Sequence, residues 1–139
     1  MHKCSCGIFS AFSTLYIIIK YDYMNKYKDL IIWKKSMELA KVVYTITDKF
    51  PSDERYGIVN QMRRAAVSIA SNIAEGAGRE SNKEFNYFLS VSNGSSYELQ
   101  TQLIISADIN LVNPEKLNKT NELIDEIQKM NFALRKSLK

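Results

Sequence analysis

Leu30, Trp33, Met37, Ala40 and Tyr44 recur at spacings of three and four residues, and Val43, Ile46 and Phe50 widen the row further on. Such spacing paints one face of a helix, and Lys34, Glu38, Lys41 and Asp48 fall opposite it. A first helix is therefore predicted over residues 29–49, with Asp29 as its N-cap. Phe50-Pro51-Ser52-Asp53 ends it, because the residue before a proline avoids the helical region. A second helix over residues 53–75 carries the stripe Val59, Met62, Ala66, Ile69, Ile73. A polar line, Gln61, Arg64, Ser68, Ser71 and Glu75, follows the same period. Gly76 and Gly78 are expected to close this helix in the left-handed conformation.

Ser81-x-x-Glu84 is a capping box and starts a third helix. Phe85, Phe88, Leu89, Leu99 and Leu103 give it bulk at both ends, while Ser92-Asn93-Gly94-Ser95-Ser96 leaves its middle small. Asn113-Pro114 starts a fourth, since proline is favoured at the first helical position. Its row is Leu117, Ile124, Ile127, Leu134 and Leu138, with Thr120 and Asn131 as polar exceptions. Short connections favour sequential antiparallel neighbours, so the pattern predicts an all-α, up-down-up-down four-helix bundle. Only 5 glycines and 2 prolines in 139 residues argue against a turn-rich all-β chain.

The small middle of the third helix has a counterpart in an equally small stretch of the second: Ala65, Ala66, Ser68, Ala70, Ser71 and Ala74. Helices with small contact residues approach closely. Gly94 inside a helix costs about 1 kcal/mol against alanine, which a close approach would offset. Ala66, Ser68, Asn72, Glu75, Gly94, Ser95 and Glu98 are thus candidate seam residues, within one chain or between chains. One of the carboxylates Glu75 or Glu98 is expected to be partly buried, with Arg64 or Arg79 in reach.

Catalysis finds no support. The only histidine is His2, which excludes the Glu-x-x-His pairs of di-metal bundles. No Ser/His/Asp or Cys/His set and no phosphate-binding glycine loop is present. No catalytic residue, cofactor or metal is expected, and the chain reads as a non-enzyme. Both cysteines, Cys4 and Cys6, lie in the first six residues, so the main domain has no disulfide scaffold and reads as cytoplasmic. Residues 7–19 are apolar but too short to span a membrane, which takes about 20 residues. A tether there is the weakest reading. Met24 precedes the patterned region, so residues 1–23 are expected to be a leader or an overcalled start, with the domain at 24–139.

The chain resembles the four-helix bundle family first described from open reading frames within intervening sequences of bacterial 23S ribosomal RNA genes. The accessory variability proteins of diversity-generating retroelements are similar to that family. The resemblance rests on Gln61-Met62-Arg63-Arg64-Ala65-Ala66-Val67-Ser68-Ile69, Ser71-Asn72-Ile73-Ala74-Glu75-Gly76, Gly78-Arg79, Glu84-Phe85 and Phe88-Leu89. Gly94-Ser95-Ser96-Tyr97-Glu98-Leu99 and Tyr27-Lys28-Asp29-Leu30-x-x-Trp33 extend it over about residues 27–139. Family members often have proline where this chain has Ala70. The resemblance implies a left-handed bundle, a ring-like homopentamer, and binding of nucleic acid or of a nucleic-acid enzyme.

Charge agrees without demanding it. The net charge is +4, only mildly basic. Lys34, Lys35, Lys41, Arg63, Arg64, Arg79 and Lys83 are the candidate nucleic-acid contacts, RNA or DNA. Lys129, Arg135, Lys136 and Lys139 crowd a helix C-terminus, where the dipole alone favours them. Five copies of one basic strip would add avidity and a steep salt dependence. Charge reversal at Arg63 or Lys35 is expected to weaken binding without unfolding. The alternative is a protein-interaction scaffold whose charges only solvate it.

Overall fold

A computed structural model of the chain describes residues 26–139 together with Leu15. The expected leader and start at Met24 lie outside these residues, as do His2, Cys4 and Cys6. A 3-10 turn, Lys26–Asp29, leads into α1, Ile31–Thr47. A second 3-10 turn, Ser52–Glu54, precedes α2, Ile58–Ala77, and α3 follows at Asn82–Asp108. A third, Pro114–Leu117, runs into α4, Asn118–Ser137. No strand occurs among the described residues. Each helix packs on the next in sequence, and α1 packs on α4, which makes the fold an all-α four-helix bundle. Leu39, Val43, Met62, Ile69, Ile73, Leu89, Leu99, Leu103, Ile124 and Ile127 fill its core.

The pattern places α2 and α4 well. Val59, Met62, Ala66, Ile69 and Ile73 are all buried, and Ala70 is an ordinary buried helical residue. Leu117, Ile124 and Ile127 are buried, and the exceptions Thr120 and Asn131 with them, while Leu134 and Leu138 at the end of the row are half-buried. Asn131 Nδ2 donates to the Leu89 carbonyl of α3 at 2.9 Å. Asn113 caps the last 3-10 turn by accepting from the Glu115 amide at 3.0 Å.

For α1 the predicted row is one position off. The buried row is Ile32, Ser36, Leu39, Val43 and Thr47, while Tyr44 is exposed and Leu30, Trp33, Met37 and Ala40 are only half-buried. One residue is about 100° of helix rotation. Two hydroxyls make the shift affordable: Ser36 donates to the Ile32 carbonyl at 2.7 Å, and Thr47 to that of Val43 at 2.8 Å. Trp33 instead meets Tyr27 edge-on, with ring centres 5.2 Å apart. Asp29 is not the cap. It belongs to the preceding 3-10 turn, and Leu30 takes the cap position without a side-chain bond. Likewise α2 begins five residues later than expected, because the chain after Pro51 turns in 3-10 form first.

Gly76 and Gly78 do not take the left-handed conformation; no glycine among the described residues has positive φ. Gly78 sits at φ −83° with its amide bonded to the Ala74 and Glu75 carbonyls. Gly76 serves close approach. A Cβ there would lie 2.7 Å from Cβ of Phe88 and 2.8 Å from Cδ2 of Phe85. The left-handed residue is Asn110, at φ 62°. The Leu111 amide bonds back to Ser106 at 2.9 Å and that of Asn110 to Ala107 at 3.0 Å, the paired bonds of a Schellman stop for α3.

Ser81 caps α3 as expected, accepting from the Glu84 amide at 3.2 Å. The Glu84 carboxylate returns to the Ser81 hydroxyl, at 2.8 Å, and not to its backbone.

Candidate nucleic-acid interface

The small middle of α3 turns out to serve three directions. Ser92 and Ser95 face α2: Ser92 donates to the Ile69 carbonyl at 3.0 Å, and the Ser68 and Ser95 hydroxyls lie 2.9 Å apart. Asn72 Nδ2 donates to the Ser68 carbonyl and hydroxyl at 2.8 and 3.0 Å, and Ser95 bonds its own Val91 carbonyl at 3.2 Å. One donor order satisfies the set: Asn72 to Ser68, Ser68 to Ser95, Ser95 to Val91. Ser96 faces α4, where Gln128 Nε2 donates to its hydroxyl at 3.2 Å.

Gly94 faces out. Among the described residues nothing outside its own turn of helix lies within 4 Å of where its Cβ would stand, so no close approach by them offsets its cost. Glu98 is exposed and accepts from Gln102 Nε2 at 3.2 Å. Glu75 is exposed too, paired with Arg79 at 2.7 Å on the helix surface. Glu75 thus meets the expected Arg79, but on the surface, and neither carboxylate is drawn into the seam; serine and asparagine satisfy it without a charge that burial would penalise. Ala66 is a core residue.

The basic side chains separate into tied and open ones. Lys35 leans onto α4 and pairs with Glu126. That hydrogen bond raises its pKa above the ordinary lysine value of 10.5; partial desolvation opposes it, and attraction to Glu126 and Glu38 adds to it. A raised lysine pKa stabilises the fold fully below the ordinary value and stops doing so as pH climbs past the raised one. Glu126→Gln is therefore expected to lower stability at neutral pH, and the deficit should vanish well above 10.5; urea unfolding at both pH values checks this. Reversing Lys35 would strike the α1–α4 contact, so it is not the clean binding probe expected from sequence.

Arg63 is tied as well. Its Nε donates to Thr47 at 2.9 Å, its guanidinium lies 4.5 Å above the Tyr44 ring, and Asp48 stands 3.7 Å away. Thr47 is the buried last residue of α1, so the arginine clamps the α1 end to α2 and arrives rigid at the surface. Arg79 lies over Phe88 at 4.8 Å besides pairing with Glu75. Arg135 donates to Asn86 at 3.0 Å. Lys34, Lys41, Lys83, Arg55 and Arg64 are exposed.

These positions do not form one strip. Arg79, just past the end of α2, and Lys83, in the first turn of α3, lie at the opposite end of α2 from Arg63 and Arg64, which is roughly 20 Å away at 1.5 Å per residue. Arg63 and Arg64 instead share an open groove of about 850 Å³ with Arg55, Tyr44, Tyr56 and Asn60. Val59, Val67 and Ser68 complete its wall. Arg55 and Tyr56 were not singled out in the sequence. Their signal is the dipeptide Arg-Tyr before Gly57, whose meaning depends on the 3-10 turn that swings it beside α2. Arg55 and Arg64 make no ion pair with any described residue.

A second surface lies on the outer side of α3. Tyr87, Val91, Tyr97, Ile104, Ile105 and Ile109 are exposed there, at helical spacing, with open Gly94 in their midst. Among the described residues no cluster of three His, Cys, Asp or Glu side chains could hold a metal, and no helix is long and apolar enough to cross a membrane.

Residues 28–133 match the profile of the 23S rRNA-intervening sequence protein family. Among solved structures, the chain is similar to a protein of unknown function from the S23 ribosomal protein family of Bacteroides thetaiotaomicron VPI-5482. The two share 20% identity with a TM-score of 0.71, over 76% of this chain and 99% of that one. No curated protein matches the chain.

Proposed function

This chain belongs to the 23S rRNA-intervening sequence protein family, and from that premise we propose that it is a non-catalytic, homo-oligomeric nucleic-acid-binding protein of the cytoplasm. The bundle runs up-down-up-down with left-handed supercoil, and copies assemble into a homopentamer through the outer face of α3. Gly94 and the exposed Tyr87, Val91, Tyr97 and Ile105 support that contact, because a glycine with open space and apolar neighbours suits the approach of another helix. Five copies then present five basic grooves, to RNA or DNA directly or within a complex with a nucleic-acid enzyme.

The observation that carries the reading is the groove itself: two arginines without ion-pair partners among the described residues, Arg55 and Arg64, flank a third that is held by Thr47, Tyr44 and Asp48. Gel shifts with structured RNA from about 50 to about 300 mM salt test it, since phosphate contacts give a steep salt dependence. Arg64→Glu is expected to weaken binding about tenfold or more and to reduce the salt slope by about 1 per lost phosphate contact. No binding at the lowest salt sinks the reading. The exposed α3 face also favours a protein-interaction scaffold, for which a protein partner retained through nuclease and high salt would speak.

A further inference from the structure

Resting on the nucleic-acid reading above, we propose that the groove between the α1 end and the α2 start takes an unpaired run of nucleotides in preference to a duplex, with Tyr56 as the platform on which a base stacks. Among the described residues Tyr56 is the most exposed of the large hydrophobic side chains, at 87%. It sits at the groove, between Arg55 and Gly57, ahead of the first turn of α2. An aromatic ring held in water gains by covering its face with another planar surface. A base inside a duplex already has both faces covered; a base in a single strand has them free, and stacking on aromatic side chains is how such strands are held.

The cations fit the same ligand. Arg63 is held against the end of α1 by Thr47, Tyr44 and Asp48. Its fixed guanidinium and the open ones of Arg55 and Arg64 line the groove in which the Tyr56 ring stands. A flexible single strand can place a base on that ring while its phosphates reach the guanidiniums beside it. A duplex keeps both faces of its bases covered by stacking and so has no free base face to lay on the ring. Beside the exposed Tyr87 of α3 the arginines are already engaged: Arg79 pairs with Glu75 over Phe88, and Arg135 donates to Asn86. Stacking reads neither the sugar nor the base edge, so RNA and DNA single strands satisfy the groove alike.

Fluorescence anisotropy of the full chain with three labelled 12-mers separates the cases: single-stranded RNA, single-stranded DNA of the same sequence, and the RNA duplex. Both single strands are expected to bind within about threefold of each other and about tenfold or more tighter than the duplex. Tyr56→Ala is expected to lower single-strand affinity about tenfold and leave the duplex unchanged, while Tyr56→Phe retains binding. Because Tyr56 is so exposed, circular dichroism should show both variants folded. Equal affinity for duplex and single strand overturns the stacking assignment and leaves the basic-groove reading intact. So does a Tyr56→Ala variant that binds normally while Arg64→Glu does not. Failure of all three probes to bind overturns both.

Discussion

Leu99→Ala should destabilise the bundle by about 2–5 kcal/mol, whereas Ile105→Ala, six residues on in the same helix, should change the stability of the single bundle by about 0.5 kcal/mol or less. Leu99 is fully buried among the core side chains, so truncation removes both its transfer energy and its packing and leaves a cavity. Ile105 is 44% exposed on the outer face. Under the assembly proposed through that face, its loss should appear elsewhere, in a particle mass reduced toward that of one chain. Urea unfolding under dilute conditions, where association does not add to stability, gives the first pair of numbers. Light scattering at higher concentration gives the second. An Ile105→Ala variant with unchanged mass would remove the α3 face from the assembly.

Gly76→Val is the second large effect, a loss of about 1–3 kcal/mol or more from overpacking. The new Cβ would meet the Cβ of Phe88 and the Cδ2 of Phe85 well inside contact distance, and the Phe85 carbonyl at 3.3 Å. The carbonyl and the Phe88 Cβ are fixed by the first turns of α3, so the two helices must part. Valine's better helix propensity recovers only a few tenths of a kcal/mol against this. Gly78→Ala is the control. Its nearest neighbour would be the Glu75 carbonyl at 3.5 Å and its φ is ordinary, so it should fold as well as the parent or slightly better. Midpoints of thermal unfolding for the two variants, side by side, check the contrast. If Gly76→Val melts with the parent, the close α2–α3 approach is not what Gly76 is for.

Much of the fold was legible along the chain. The α2 stripe and the Ser81 cap needed no partner to be read, because spacing and capping chemistry are local properties. The α1 row was misjudged for a definable reason. Counting apolar residues favours Tyr44 and Trp33 over Ser36 and Thr47, yet a hydroxyl that bonds its own helix is cheap to bury, and a tyrosine beneath an arginine is well placed outside. The candidate site was legible only in pieces. Arg63 and Arg64 stood out; Arg55 and Tyr56 did not, since nothing local says that the turn after Pro51 lays them beside α2. Lys35 resembled its neighbour Lys34 until α4 supplied Glu126.

By itself the sequence determined four amphipathic helices, their order, the small-residue contact between the second and third, and the family. Those are set by periodicities and caps that act over a few residues. Tertiary structure alone decided which of α3's small residues point inward, that Gly76 marks a near collision and Gly94 an open space, and which arginines are bound and which are available. These depend on the rotation of each helix about its axis. That angle is fixed by what the neighbouring helices bring to the contact, and no stretch of one helix carries it.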